Sequence, residues 1–202
     1  MTHNQANPSG TIGPNAITRI AQALRNQHSE TLTQQIFEDA GLTEALLDPP
    51  TEMVDEDWVS ALHQALHQHL SPDQAREVSL EAGRLTGDYL LAHRIPKPVQ
   101  RLLKWLPAGP ASRILLTAIQ RNAWTFTGSG SLEVHHRPQL QLTLTHTPIP
   151  RRLQGERPVC HYYAASFERL FQVLVHPDTR VTELQCTASG APACVFRVTW
   201  RP

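Results

Sequence analysis

The sequence predicts an α+β protein (α/β in the broad sense), in which an antiparallel sheet packs with helices and a helical N-terminal region precedes the sheet. Two observations carry this prediction. Apolar residues recur at helical spacing as far as Phe126, which is the pattern of amphipathic helices. From Ser131 onward, alternating segments give the order strand, strand, helix, strand, strand, which is typical of a sheet covered by helices.

The chain divides into three predicted segments. Residues 1–11 are polar, contain Pro and Gly, and are expected to form a disordered tail. Residues 12–70 are expected to form the helical N-terminal region. Residues 71–202 are expected to form the main domain, which opens with Ser71 as N-cap and Pro72 in the first turn of a long helix.

Local signals place the individual elements. Helices should end where Gly, Pro or a capping residue interrupts the apolar period, and strands should show β-branched alternation. The helices are expected to begin near Pro14, to cover 30–40, to begin again near Asp55 and at Pro72, and to cover 99–106, 111–126 and 161–175, with strands over 131–136, 139–147, 180–187 and 195–200.

His63 and His67 are spaced one helical turn apart, opposite the apolar stripe of the third helix. Two imidazoles at this spacing can chelate a metal ion. The more common explanation is a polar, glutamine-rich face in contact with water.

Bulk composition excludes several classes of protein. Hydrophobic residues make up 40% and charged residues 18% of the 202 residues, with zero formal net charge and a pI of about 7.2. We therefore expect a globular protein without a general attraction to nucleic acid. Three cysteines, an odd number with no signal peptide ahead of them, predict a reducing cytoplasm.

All three cysteines lie in the last quarter of the chain, in the pattern C-x22-E-x2-C-x7-C formed by Cys160, Glu183, Cys186 and Cys194. Three thiolates and a carboxylate make a closed tetrahedral set that a structural Zn²⁺ accepts. A turn at Ser189-Gly190-Ala191-Pro192 would let Cys186 and Cys194 face each other across a hairpin. However, an offset of three on a strand points Glu183 and Cys186 to opposite faces unless a bulge intervenes. The alternative is three unrelated, buried and reduced cysteines.

A basic concentration runs from Arg84 to Lys104, where the cations Arg84, Arg94, Lys97, Arg101 and Lys104 face Asp88 alone. It suits carboxylates on a ligand, or an anionic surface that meets the Leu102, Leu103 and Trp105 side of a helix. A solvated face is the simpler alternative.

The C-terminal part resembles the vinyl-4-reductase domain, a small-molecule-binding α/β module. Phenol-sensing activators with this domain hold zinc by a Cys…Glu-x2-Cys-x7-Cys set, which is matched here by Cys160, Glu183, Cys186 and Cys194. The resemblance implies that residues 71–202 form a zinc-containing, small-molecule-binding domain. Related domains also suggest a homodimer.

Three further segments are similar to the bacteriochlorophyll-synthesis vinyl reductase family of purple phototrophs. They are Gly13-Pro14-Asn15-Ala16-Ile17, the stretch from Gly83 to Pro96, and Ala123-Trp124-Thr125-Phe126-x-Gly128-Ser129-Gly130. The resemblance implies a magnesium porphyrin or divinyl (proto)chlorophyllide as ligand, bacteriochlorophyll-synthesis enzymes as partners, and a cytoplasmic location that can include the surface of the photosynthetic membrane.

The residues themselves support binding better than reduction. Reduction of a vinyl group needs a hydride or electron source, but no Gly-x-Gly-x-x-Gly follows a strand, and three cysteines cannot ligate an ordinary iron–sulfur cluster. We therefore expect a tetrapyrrole carrier. The alternatives are an 8-vinyl reductase with a separately bound reductant and a ligand sensor that acts through a partner chain.

The side chains expected to bind the tetrapyrrole are of three kinds. Trp124 and Phe126 would form the apolar slot, and an imidazole would lie on the magnesium ion. Cations would bind the carboxylates. The imidazole is His93, and the cations are Arg94, Lys97 and Arg101.

Overall fold

The structure is a computed structural model that describes residues 10–200. Its first part is mostly helical. Strand β1 (Thr11–Ile12) pairs antiparallel with β2 (Val54–Asp55), with Thr11 opposite Asp55. Thr11, at the end of the expected tail, therefore belongs to a strand. Residues 1–9 of that tail lie outside the described residues. The elements are β1 (Thr11–Ile12), α1 (Asn15–Gln27), α2 (Glu30–Asp39), α3 (Thr43–Leu47), β2 (Val54–Asp55) and α4 (Glu56–His69).

The second part of the described chain contains four helices before the main sheet and one helix within it. Its four strands are β3 (Ser131–His135), β4 (Gln141–Thr145), β5 (Arg180–Gln185) and β6 (Cys194–Thr199). They lie in the order β3-β4-β6-β5, and every neighbouring pair is antiparallel. The predicted α+β fold is therefore confirmed. The elements are α5 (Pro72–His93), α6 (Lys97–Trp105), α7 (Ala108–Arg121), α8 (Trp124–Thr127), β3 (Ser131–His135), β4 (Gln141–Thr145), α9 (His161–Leu174), β5 (Arg180–Gln185) and β6 (Cys194–Thr199).

Helix starts follow their capping residues. Ser71 and Gln74 form a reciprocal capping box at the start of α5, and Asp55 accepts a hydrogen bond from the Asp57 amide at the start of α4. The expected helix over 111–126 is wrong as one element, because α7 ends at Arg121 and α8 begins at Trp124. Asn122 is the C-cap residue of α7, with φ −107° and ψ 11° outside the helical region, and its amide and side chain both donate to the Ala118 carbonyl, at 3.3 and 2.8 Å.

Helices α5 and α9 pack closely through two glycines of α5. A Cβ atom at Gly83 would collide with the Tyr162 carbonyl oxygen, and one at Gly87 would lie 2.7 Å from Cβ of Arg169. The hydroxyl of Ser166 donates to the Gly83 carbonyl at 3.1 Å. The glycine pair therefore brings α9, and with it Cys160 at the start of that helix, close to α5.

His63 lies inside the protein. It is fully buried, and neither ring nitrogen has a hydrogen-bond partner among the described residues. Its ring contacts Tyr162 of α9 edge-on, at 6.3 Å between centroids. The expected solvated face is thus wrong at His63, because this side of α4 is buried, with the His63 ring against Tyr162 of α9.

Buried apolar residues from Ile12 to Val198 form one hydrophobic core. Residues of both 12–70 and 71–202 contribute to it, and the division into those two segments stays a prediction. Within residues 10–200, no helix combines the length and the apolar character that crossing a bilayer requires.

Candidate metal centre

The hairpin of β5 and β6 carries two of the three cysteines. Cys186 directly follows β5 and Cys194 begins β6. Between them, a single turn of 3-10 helix covers Thr187–Ser189 and ends at Gly190, whose φ of 85° lies in the left-handed region that suits glycine. The predicted turn is therefore confirmed, and it places the two cysteines on opposite sides of the hairpin tip.

A β-bulge in β5 brings Glu183 to the same face as Cys186. Glu183 pairs with Phe196 and Gln185 pairs with Val195, so Leu184 is the extra residue. One inserted residue reverses the alternation of side chains along the strand. The fold therefore contains the bulge that Glu183 and Cys186 need in order to face the same metal ion.

Cys160 is the N-cap residue of α9 and faces the hairpin. Its sulfur lies 3.8 Å from that of Cys186 and 3.5 Å from that of Cys194, while the sulfurs of Cys186 and Cys194 are 3.9 Å apart. All three thiols are free and fully buried. A zinc ion with Zn–S bonds of about 2.3 Å requires sulfurs roughly 3.8 Å apart in a tetrahedron, so the three sulfurs have the required spacing.

Glu183 supplies the fourth donor. Its Oε2 accepts a hydrogen bond from the Cys160 amide at 2.8 Å, whereas its buried Oε1 has no partner among the described residues. The candidate ligand atoms of the four residues all lie within 4.8 Å of one another. A buried carboxylate oxygen without a hydrogen bond is costly, and a metal ion among the sulfurs would satisfy it.

Burial and mutual hydrogen bonding shift the pKa values of the side chains in the metal-free cluster. Burial raises the pKa of the Cys160 thiol well above its usual range and raises the pKa of Glu183 to about 9. Hydrogen bonds from Cys160 and Cys186 lower the pKa of Cys194 to about 4. The favoured thiolate without metal is thus Cys194. At Cys160 desolvation outweighs the helix dipole, which would favour a thiolate at the start of α9.

A divalent cation would reverse this balance. Its charge stabilises all the thiolates and the carboxylate together, so binding would release protons. Three sulfurs and one carboxylate oxygen fill a tetrahedron and leave no position for a reacting water. The residues therefore fit a structural metal ion, which would join the start of α9 to the hairpin.

Thr187 is a member of the site that sequence reasoning missed. Its amide donates to the Cys194 sulfur at 3.4 Å, and its hydroxyl oxygen lies 3.6 Å from the same sulfur. These contacts stabilise negative charge on Cys194. The sequence could have indicated Thr187, because it directly follows Cys186 at the start of the turn, where its amide lies close to the Cys194 sulfur.

The residues expected to bind a tetrapyrrole lie apart from the cysteine cluster in the chain. The polar ones are exposed at the end of α5 and on α6: His93, Arg94, Lys97 and Arg101. Trp124 is 41% exposed at the start of α8. Phe126 is half-buried, with its ring edge-on to those of Tyr163 and Phe167 at 6.3 and 5.7 Å.

Two surface cavities are small for a large flat ligand. One of about 180 Å³ is lined by α1 and α3 residues such as Ala21 and Leu46, and one of about 60 Å³ lies between α5 and α9. Sites for drug-sized ligands usually hold roughly 300–1,000 Å³. Neither cavity, as it stands, has room for a tetrapyrrole ring.

Comparison with known proteins assigns the chain to a family. Residues 141–200, which include the hairpin and α9, match the sequence model of the vinyl-4-reductase (V-4-R) domain. A structure of a vinyl-4-reductase family protein from Methanocaldococcus jannaschii aligns with 86% of this chain and 97% of its own, with 14% identity and a TM-score of 0.43.

The bacteriochlorophyll synthase 23 kDa chain of Cereibacter sphaeroides is 40% identical over 187 residues, covering 93% of this chain and 89% of that protein. The chain of the same name from Rhodobacter capsulatus is 36% identical over 92% and 85% of the two sequences. The chain therefore belongs to the bacteriochlorophyll synthase 23 kDa chain family.

Proposed function

We propose that this protein is a tetrapyrrole-binding accessory or carrier protein of bacteriochlorophyll biosynthesis. It would hold a magnesium porphyrin or divinyl (proto)chlorophyllide intermediate and pass it between enzymes. The observation that carries the proposal is the 40% identity, over nearly the whole chain, to a relative named as a chain of bacteriochlorophyll synthase. The enzymes of that pathway are accordingly its proposed partners, and a homodimer is its proposed assembly.

Zinc is the proposed resident metal. The spacing of the three sulfurs and the orphan Oε1 of Glu183 support it, and thiolate-rich buried sites favour zinc over magnesium or calcium. Because the four donors close the coordination sphere, the zinc would stabilise the fold and would not contact the pigment. Freshly purified protein should contain about one zinc per chain by elemental analysis.

Binding of the ring is proposed at α8. Trp124 is partly exposed, while Phe126 extends from it into an aromatic cluster with Tyr163 and Phe167. The Tyr163 hydroxyl donates to the Phe126 carbonyl at 2.9 Å, so the cluster is held in place. A flat apolar ligand could extend the cluster outward, once side chains at the surface move to widen the slot.

Cations near the end of α5 are proposed to bind the ligand carboxylates. Arg94, Lys97 and Arg101 are exposed, and none of them forms an ion pair within the described part of the chain. A charge-assisted hydrogen bond to a carboxylate contributes roughly 1.5–3 kcal/mol. His93, whose ring lies 4.8 Å from that of Tyr89, is the proposed imidazole for the magnesium ion.

The test is a titration of purified full-length protein with a water-soluble magnesium porphyrin, followed by absorption. We expect saturable binding and a shifted Soret band. Arg94→Ala should weaken binding by about one to two decades, whereas Arg152→Ala, which removes an exposed loop cation, should not. Trp124→Ala should weaken binding as well.

A second assay separates a carrier from a reductase. Divinyl substrate and NADPH are added to the purified protein alone, and the vinyl group is followed by chromatography. A carrier binds the pigment and leaves the vinyl group intact. Catalytic formation of monovinyl product without any added protein would establish the 8-vinyl reductase, and absence of pigment binding would refute the carrier.

A further inference from the structure

Helix α6 exposes an apolar face that the rest of the described fold leaves uncovered. Val99, Leu102 and Trp105 are 39%, 50% and 84% exposed. Their spacing of three residues places them along one side of the helix. An exposed row of this kind on a nine-residue helix is unusual for an element with no role at a surface, because water contact with large apolar side chains is unfavourable.

The opposite side of α6 holds the helix firmly to the protein. Leu103 is buried in the core, which corrects the expectation that it shares the exposed side with Leu102 and Trp105. The buried Gln100 side chain donates to the carbonyls of Leu91 and Ile95, at 2.5 and 2.8 Å. The apolar face is therefore presented by a fixed helix.

The part of the chain that contains this face is rich in positive charge. Between Asp88 and Glu133 the chain has no acidic residue, and its cations there are Arg94, Lys97, Arg101, Lys104, Arg113 and Arg121. None of these cations enters an ion pair with any residue in the range 10–200. Lys97, Arg101 and Lys104 fall together on a third side of α6, beside the exposed apolar row.

We propose that this face of α6, formed by Val99, Leu102 and Trp105 with Lys104 beside them, docks on an anionic lipid surface. An interfacial helix buries one apolar side at the level of the lipid headgroups and directs its cations to the lipid phosphates. Trp105 has the ring that such a boundary favours. The helix lies on the membrane surface and is reversibly bound.

The size of the face favours lipid over a protein partner. A stable protein interface buries roughly 800 Å² on each partner, from about 20–30 residues, whereas the exposed apolar row of α6 consists of three side chains. A bilayer accepts a small insertion of this kind, because anionic lipids gather around each cation and add attraction of about fivefold in affinity per Lys or Arg. The absence of acidic residues from 89–132 also suits a surface of lipid phosphates.

The test uses full-length protein and vesicle flotation. Vesicles of phosphatidylcholine alone are compared with vesicles that contain about one third phosphatidylglycerol, at low and high salt. We expect binding to the anionic vesicles only, weakened by salt. In the double variant Leu102→Gln/Trp105→Gln the bound fraction should fall at least about tenfold. In Lys104→Gln the affinity for anionic vesicles should fall about fivefold.

A matched control is Leu47→Gln, because Leu47 is another exposed leucine, 78% exposed on α3; this variant should float like the parent. Equal binding to neutral and anionic vesicles, or a double variant that binds like the parent, would overturn the proposal. So would ultracentrifugation showing that the α6 substitutions dissociate a dimer, since the face would then be a contact between copies. Pigment titration in lipid-free buffer is read separately, so failure of the carrier proposal and failure of lipid docking are distinguishable.

Discussion

The carboxylate of Glu183 accepts a hydrogen bond from the backbone amide of Cys160 at 2.8 Å. This bond links strand β5 to the first turn of α9. It uses Oε2, and it leaves Oε1 buried beside the three sulfurs. Glu183 thus has two separable roles, one toward the backbone and one toward a metal ion.

Glu183→Gln should separate those roles. Burial raises the pKa of Glu183 to about 9 in the metal-free cluster, so at pH 7 the carboxyl is already neutral there, and an amide should cost little stability. Metal affinity should fall at least about tenfold, because the amide offers no negative charge. Competition with a chromophoric chelator measures the affinity, and urea unfolding in excess chelator measures the stability.

Glu168→Gln is the matched control for that experiment. Glu168 also accepts a hydrogen bond from a backbone amide, that of Val181, at 2.8 Å, but it is not one of the candidate ligands. Its substitution should leave metal affinity unchanged. Equal metal affinity in Glu183→Gln and the parent would remove Glu183 from the ligand set.

Cys186→Ser should abolish tight metal binding and lower the free energy of unfolding by several kcal/mol. The binding energy of a structural zinc is partly folding energy, and this site joins α9 to the hairpin. Calorimetry with and without chelator provides the measurement. The parent should lose stability with chelator, and the variant should not respond. A variant as stable as the parent, with an equal response to chelator, would show that the cysteines are only core residues.

Gly83→Ala should destabilise the protein by about 1–3 kcal/mol. The new Cβ would collide with the Tyr162 carbonyl oxygen, and a backbone atom of α9 cannot move aside as a side chain can. This cost exceeds the helix-propensity gain of about 1 kcal/mol. Gly109→Ala in α7 is the control, since a Cβ there meets no atom within 4 Å. Urea denaturation should show that control unchanged or slightly more stable; equal effects of the two substitutions would contradict close packing of α5 on α9.

His63 should make the protein sensitive to acid. Burial, with a smaller effect of His67, lowers the pKa of His63 from 6.5 to about 3. The unfolded chain therefore binds a proton between pH 6.5 and 3 that the folded chain does not, so His63 leaves stability intact above about pH 6.5 and reduces it as pH falls. At pH 5 the free energy of unfolding should be lower by about 2 kcal/mol, because about 1.36 kcal/mol is lost for each pH unit below about 6.5.

His63→Phe removes that titration and keeps an aromatic ring against Tyr162. The difference in unfolding free energy between pH 7.5 and pH 5 should be smaller in this variant than in the parent by about the same 2 kcal/mol. Urea unfolding at the two pH values measures it, and both proteins carry the same cysteine cluster. An identical pH difference in the two proteins would show that His63 is protonated in the fold.

The sequence by itself determined those features that depend on residue type and local spacing. The capping of α5 by Ser71 and the turn at Gly190 are confirmed. Each of these two depends on bonds within a few residues, so a single sequence contains the necessary information. The sequence also supplied the donor types at positions 160, 183, 186 and 194, whose role as metal ligands stays a prediction.

The tertiary structure decided which faces meet. A strand's alternation placed Glu183 and Cys186 apart, and only the pairing of Glu183 with Phe196 and of Gln185 with Val195 shows the bulge that unites them. The burial of His63 likewise depends on α9, about one hundred residues later in the chain. On α6, Leu103 is buried in the core, whereas its neighbour Leu102 is exposed. Local sequence is the same for either outcome, because burial is fixed by the partner element that covers a side chain and not by the side chain itself.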